Sequence, residues 1–223
     1  MIPKPAKRES ERAYERLVAL LLDGAFPEDV PLSERTLSDT LGFGRTPVRE
    51  AVRDLVREGV LESHPTRGTI VRPMSLTELQ DIYEIRYAIE GMAGFLAAER
   101  GALDSLDAYE AEFERILAAP HEQDIVRVHD HGVDFHMEVM RLSGNEKLLE
   151  MYRPFRLRFR IPFGIVRQRR PERVLAAVQE HLEILRAIKR RDAGRARELI
   201  CGHLRTGMDF RMNMLTSRPA YRA

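Results

Sequence analysis

The spacing of apolar residues divides the chain into two regions. In residues 1–73, three segments with helical spacing are followed by two short β-like runs, VLES and GTIVRP. Residues 75–215 keep helical spacing almost throughout. Because apolar residues three and four positions apart line one side of a helix, the pattern predicts helices over 10–23, 33–41 and 46–58, followed by a hairpin.

Residues that favour helix ends support these boundaries. Ser10 is placed to cap the first helix, and Gly59 is placed to stop the third. A Gly-Phe-Gly sequence at 42–44 forms a tight turn between the second and third helices. Two short helices joined by a turn and followed by a hairpin predict a winged helix-turn-helix domain over residues 1–73.

The second region, residues 74–223, is predicted to be an all-helical bundle. Ser75 and Glu78 form the pattern of a capping box at its start. Pro154 and Pro162 predict that the fourth helix of this region is kinked or broken. The fold class is therefore mainly α, with a linker at 72–75. The six predicted helices are 75–100, 104–118, 122–142, 145–168, 171–191 and 193–215.

The third predicted helix separates its charges by side. Arg45, Arg49 and Arg53 follow one flank, and acidic residues follow the other. A row of arginines at the start of a helix suits a DNA major groove, where guanidinium groups bind phosphates and guanine edges. An ordinary surface helix with ion pairs between residues four apart fits the charges equally well, so they leave both interpretations open.

Composition narrows the class of protein. Of the 223 residues, 43% are hydrophobic, which is enough for a folded core, and the net charge of +1 does not by itself indicate nucleic acid. The apolar run LVALLL is too short to span a membrane, and the polar residues 1–16 do not resemble a secretory signal. The single cysteine, Cys201, excludes an internal disulfide. We expect a cytoplasmic protein with no membrane partner.

Three of the seven histidines lie on or beside the apolar faces of three different predicted helices: His136, His181 and His203. A single histidine on an apolar face is most often a hydrogen-bonded core residue. A buried cluster of imidazoles is costly unless it is hydrogen-bonded or bound to a metal. The spacing alone leaves both interpretations open.

The segment 31–71 carries a dense set of residues at characteristic positions: Ser33-Glu34-Arg35, Arg45-Thr46-Pro47-Val48-Arg49-Glu50-Ala51, Gly59 and Arg67-Gly68. This set resembles the DNA-binding domain of the GntR family of bacterial transcription regulators. The resemblance implies contacts with operator DNA by Arg35, Arg45, Thr46 and Arg49, and by the wing at Arg67 and Gly68. Gly44 departs from the pattern, which has Ser or Thr at this position and so gains a helix cap or a phosphate contact.

The helical region carries a second set: Arg86 with Glu90, Phe135-His136, Ser143-Gly144-Asn145, Glu180-His181 and His203-Leu204. It resembles the all-helical effector domain of FadR-type GntR regulators, called the FCD domain. Many members bind a divalent metal with one aspartate and three histidines, which implies His136, His181 and His203 as ligands of Zn²⁺ or Ni²⁺. The aspartate position, four residues before His136, is Gly132 here, so the resemblance supplies no carboxylate ligand.

Arg86 and Asn145 are the predicted effector-binding residues. Arg86 follows the core-facing Ile82 by one helical turn, and an inward guanidinium requires an anionic partner. That partner is either a carboxylate of an effector or Glu90, one turn further along the helix.

Together the two resemblances imply a homodimeric, ligand-responsive transcription regulator that binds a palindromic operator and is not an enzyme. A small anionic effector is expected to change its affinity for DNA. The alternative from another class is a metal-dependent hydrolase with a three-histidine site, although no general base or nucleophile accompanies the histidines and the winged domain would be unexplained. A third possibility is a DNA-binding protein whose helical domain only dimerises.

Overall fold

A computed structural model describes residues 8–26, 30–64, 68–122, 124–161 and 170–217, which fold into two compact units. Among these residues, 8–74 and 154–161 form the first unit, called here the winged unit. Residues 75–153 and 170–217 form the second, called the helical unit. The predicted domain boundaries placed everything after residue 73 in the second domain, whereas 154–161 group with the first.

The winged unit contains a helix-turn-helix and a hairpin, as predicted. Its elements are α1 (Glu9–Leu22), α2 (Glu34–Leu41), α3 (Arg45–Arg57), β1 (Leu61–His64) and β2 (Gly68–Val71). The two strands are antiparallel, with Leu61 opposite Val71. One face of each helix is buried in a shared apolar core that includes Leu17, Leu37, Val48, Leu55, Leu61 and Val71.

Helix ends in this unit follow local hydrogen bonds. Ser10 does not cap α1, because the carboxylate of Glu11 accepts the backbone N–H of Arg8 and the helix begins at Glu9. Ser33 does cap α2, since its hydroxyl accepts the backbone N–H of Thr36 at 3.0 Å. Gly59 follows α3 with φ +71°, a conformation that glycine adopts without the steric cost of a side chain.

Six α-helices follow among the described residues; five lie in the helical unit, and the fourth begins there and ends in residues that group with the winged unit. They are α4 (Leu76–Arg100), α5 (Leu106–Ala118), α6 (Ile125–Leu142), α7 (Glu146–Arg160), α8 (Pro171–Lys189) and α9 (Ala193–Thr216). Both α4 and α8 pack against α9, and α5 and α6 pack against α8. Gly94 allows the close approach of α4 to α9, because a Cβ at this position would collide with Cδ1 of Ile200.

Of the two predicted outcomes at Pro154, a kink or a break, the break does not occur, because α7 continues through this residue to Arg160. A proline removes one helical hydrogen bond, and packing on both sides can hold the helix together across it. Tyr152 and Leu157, which flank the proline, are both buried. Pro162 lies outside the described residues. No helix in the described ranges is long and apolar enough to cross a membrane.

Candidate metal centre and nucleic-acid interface

The helix α3 presents its charged side outward, as the sequence pattern predicts. Val48, Ala51, Val52 and Leu55 are buried against the core. Arg45, Thr46 and Arg49 are exposed on the opposite side, and Arg35 is exposed on α2. The predicted DNA contacts of these two helices therefore lie at the surface, where phosphate or base edges can reach them.

Arg49 is held by a neighbour that the sequence pattern did not reveal. Its Nε and Nη2 donate to the two carboxylate oxygens of Glu34 at 3.0 and 2.8 Å, joining α3 to α2. The hydrogen bond from Arg49 lowers the pKa of Glu34 below its ordinary value. This two-point pairing fixes the direction of the guanidinium while leaving its other N–H groups available.

The wing residues are described only in part. Gly68 begins β2 with φ +80° and is exposed at the tip of the hairpin, whereas Arg67 lies outside the described residues. Gly44 occupies the N-cap position of α3 and makes no side-chain cap hydrogen bond. The departure noted at Gly44 therefore removes one side-chain contact from the start of α3.

The three histidines singled out from the sequence converge, although they lie on α6, α8 and α9. His136 Nε2 lies 3.1 Å from His181 Nε2 and 3.2 Å from His203 Nε2. The Nε2 atoms of His181 and His203 are also 3.2 Å apart. Among the described residues, these three form the group of side chains whose ligand atoms are close enough to share one metal ion.

Two glutamates set the direction in which these imidazoles present their lone pairs. His136 Nδ1 lies 2.6 Å from Glu90 Oε2, and His203 Nδ1 lies 2.5 Å from Glu180 Oε2. A carboxylate oxygen accepts hydrogen bonds, so each Nδ1 carries a proton, and in the neutral form of each ring the lone pair is then on Nε2. Both lone pairs are thereby directed toward the space between the three Nε2 atoms.

Each of these glutamates is also paired with an arginine. Arg86 Nε donates to Glu90 Oε1 at 2.5 Å, and Arg173 donates to both oxygens of Glu180 at 3.1 and 3.0 Å. Burial alone would raise the pKa of Glu90, but the charge of Arg86 and the hydrogen bonds from His136 and Arg86 outweigh it and hold that pKa well below the ordinary value. Glu90 is therefore ionised and paired.

For Arg86, the structure shows the ion-pair alternative raised from the sequence. Its side chain is 5% exposed and its partner is Glu90, one turn along α4. A direct contact of Arg86 with an effector stays a prediction. Asn145, the other predicted effector residue, caps α7: its side-chain oxygen accepts the backbone N–H of Lys147 at 3.1 Å and of Leu148 at 3.3 Å.

His181 differs from the other two histidines. Its Nδ1 is buried and has no hydrogen-bond partner within the described part of the chain. Burial, and then the nearby His203 and His136, lower the pKa of His181 well below its ordinary value, so the ring is neutral. The ring also lies against Gly132, where a Cβ would be 2.7 Å from Cε1 and 3.1 Å from Nδ1 of His181.

The donor set and the spacing fit a divalent transition metal. Metal–nitrogen bonds of about 2.1 Å place neighbouring ligand atoms about 3.0 to 3.4 Å apart in octahedral or tetrahedral sites. The observed separations of 3.1 and 3.2 Å fall in this range. Carboxylates behind metal-ligating histidines are the usual means of orienting the rings. Imidazole nitrogens suit Zn²⁺ and Ni²⁺, so the residues present can hold either ion.

Comparison with known proteins matches both units to described families. A family model described as "Bacterial regulatory proteins, gntR family" matches residues 9–71, and one described as "FCD domain" matches residues 81–206, more than half of the chain. The fold and the two matches define a transcriptional regulator with an effector-binding domain. The chain belongs to the GntR family, in the group that carries an FCD domain.

Named relatives agree with this assignment. The "Glc operon transcriptional activator" of Escherichia coli (strain K12) is 26% identical over 218 residues, covering 88% of this chain and 86% of that protein. The "Probable D-xylose utilization operon transcriptional repressor" of Paenarthrobacter nicotinovorans is 32% identical over 61% of this chain and 60% of that protein. The solved structure of E. coli McbR/YncC has a TM-score of 0.79 at 21% identity, covering 95% and 100% of the two chains, and shows the same fold.

Proposed function

We propose that this regulator binds a palindromic operator as a homodimer and senses a small carboxylate effector at a divalent metal held by His136, His181 and His203. The relatives named as an activator and a repressor of operons support a target among metabolic genes. Two-fold symmetry of a homodimer matches an inverted repeat in DNA. Because the operator is chromosomal DNA, we place the protein in the cytoplasm.

The observation that carries the proposal is the convergence of three Nε2 atoms within 3.2 Å of one another. Without a metal, His181 can donate one N–H to one neighbour, and another buried lone pair stays unsatisfied. A bound Zn²⁺ or Ni²⁺ supplies a Lewis acid with open positions that accept carboxylate oxygens. Glu90 and Glu180 orient His136 and His203, and we place Arg86 behind the site as the positioning partner of Glu90.

The surroundings of the triad favour a sensor over the hydrolase alternative. Many hydrolytic metal sites place a general base beside the metal-bound water. Glu90 is already shared between Arg86 and His136, and Glu180 between Arg173 and His203. Within the described residues, neither carboxylate adjoining the triad is available as a base. We therefore propose binding without catalysis.

The test measures operator affinity as a function of effector and metal. A fluorescent duplex from the region upstream of the protein's own gene is titrated with Zn²⁺-loaded protein, with and without a panel of small carboxylates. We expect at least one carboxylate to change the affinity about 5- to 150-fold, the usual range of allosteric coupling. His203→Ala should still bind the duplex but lose this response. If no carboxylate alters DNA affinity in the loaded protein, the sensor proposal fails.

A further inference from the structure

The charges around the histidine triad cancel. Glu90 is paired with Arg86, and Glu180 is paired with Arg173, so each pair contributes no net charge. In the described part of the chain, the group able to hold a metal consists of three imidazoles and no carboxylate. Imidazole ligands are neutral when they bind a metal. The two positive charges of a divalent ion would therefore meet no compensating charge among the ligands.

Gly132 lies at the position where the resemblance to FCD domains implies a ligand aspartate. It lies on α6 four residues before His136, on the same side of the helix. The ring of His181 occupies the space that a side chain at this position would need, since a Cβ on Gly132 would be 2.7 Å from Cε1 of His181. The edge of a neutral ring therefore fills the space in which a side chain at this position would lie.

The site is also nearly closed to solvent, which makes the missing charge matter. The side chains of His136 and His203 are 11% and 10% exposed, and His181 is 4% exposed. An uncompensated charge is strongly unfavourable at such low exposure. The small cavity beside His136 is lined mainly by apolar side chains, among them Phe135, Val139 and Met140. Whatever neutralises the site must therefore be compact, and none of the described side chains supplies it.

We infer that the effector of this regulator is a compact dianion with two carboxylate groups, which supplies both the charge missing at Gly132 and the charge of an ordinary effector carboxylate. The inference rests on the proposed metal site and adds the charge class of its ligand. A monocarboxylate would leave one positive charge uncompensated in the nearly closed site. Hydrogen phosphate shares the charge but not the two separated carboxylates.

The first experiment compares pairs of acids that differ by one carboxylate at equal carbon number. Calorimetric titration of Zn²⁺-loaded protein uses malonate against propionate and succinate against butyrate, with inorganic phosphate as a separate arm and with Zn²⁺ retention measured after each titration. We expect a dicarboxylate to bind at least about ten-fold tighter than its partner. Equal affinities within about two-fold, tighter binding of phosphate, or binding of no dicarboxylate would each overturn the inference.

The second experiment places a negative charge at residue 132, beside the histidine triad. Gly132→Asp adds a carboxylate, and Gly132→Asn adds a side chain of the same shape without charge. Both must displace the edge of His181, so Zn²⁺ content is measured for each. We expect Asp to reduce the preference for dicarboxylate at least about ten-fold and Asn to retain it. Equal preference in the two variants would contradict the charge explanation, and if neither retains Zn²⁺ the wild-type comparison decides.

The metal site and the dianionic class of its ligand can be tested separately. If wild-type protein binds no Zn²⁺ or Ni²⁺, the proposed metal site is wrong. If the metal binds and monocarboxylates are preferred, only the dianion inference is wrong.

Discussion

Each unit contains an arginine–glutamate pair, and the two pairs differ in their access to water. In the winged unit, Arg49 and Glu34 are 51% and 43% exposed. In the helical unit, Arg86 and Glu90 are 5% and 3% exposed. An exposed pair contributes little to stability and can exchange its partner for a phosphate, whereas a buried pair cannot lose one member without leaving a charge stranded. The same chemistry therefore serves binding in one unit and positioning in the other.

The largest expected effect is on the buried pair. Arg86→Ala leaves the buried Glu90 without its arginine, and we expect the free energy of unfolding to fall by about 3–5 kcal/mol. Chemical denaturation measures it. The double variant Arg86→Met/Glu90→Leu should recover part of the loss, because neither charge of the pair then remains buried, although His136 Nδ1 loses its acceptor. A loss below about 1 kcal/mol in the single variant would show that the pair contributes no more to stability than an exposed ion pair does.

The exposed pair should show the opposite behaviour. Arg49→Ala is expected to weaken operator binding about ten- to a hundred-fold and to leave the unfolding transition nearly unchanged. A salt titration of the fluorescent duplex measures the affinity, since phosphate contacts add to the salt dependence. Arg57→Ala, at the far end of α3, is the matched control and should bind nearly as wild type. Unchanged affinity of Arg49→Ala at every salt concentration would refute the recognition-helix assignment.

A substitution of Glu180 tests whether this carboxylate orients the ring of His203 for metal binding. Glu180→Gln keeps the shape of the side chain but loses the charge that accepts from His203 Nδ1. Loss of such a partner typically lowers metal affinity about 10- to 100-fold. Competition with a fluorescent chelator measures the Zn²⁺ affinity. Glu183→Gln, on an exposed part of the same helix, should leave it unchanged. Equal Zn²⁺ affinities of the Glu180→Gln and Glu183→Gln variants would show that Glu180 does not contribute to metal binding.

The smallest expected effect is a dependence of stability on pH in metal-free protein. Burial first, and then neighbouring charges, lower the pKa values of His181 and His203 in the folded state. Below about pH 6.5 the unfolded chain therefore binds more protons than the folded one, and stability falls as pH falls. The slope reaches at most about 1.4 kcal/mol per pH unit for each histidine. Denaturation in chelator from pH 7.5 to 5.5 should show it.

Two matched variants show which histidines cause this pH dependence of the free energy of unfolding. His181→Gln should lose its share, whereas His121→Gln, at an exposed position, should keep the wild-type slope. A flat profile for wild type would mean that the buried rings titrate alike in both states.

The three histidines that converge could be singled out from the sequence because helical periodicity places each one on or beside the apolar face of its helix. Their partners could not, since Glu180 precedes His181 in the chain but its carboxylate accepts from His203 on another helix. The pairing of Arg49 with Glu34 likewise depends on how α2 and α3 cross. Local propensity also left the outcome at Pro154 open between a kink and a break, and the helix continues there with buried residues on both sides of the proline.

The metal content of purified protein tests the central claim most directly. Elemental analysis after gel filtration in metal-free buffer should find about one Zn²⁺ or Ni²⁺ per chain in wild type. His203→Ala, with an intact helical circular-dichroism spectrum, should contain almost none. Metal-free wild type that fails to take up either ion on addition would contradict the account, and so would a His203→Ala protein that retains its full content.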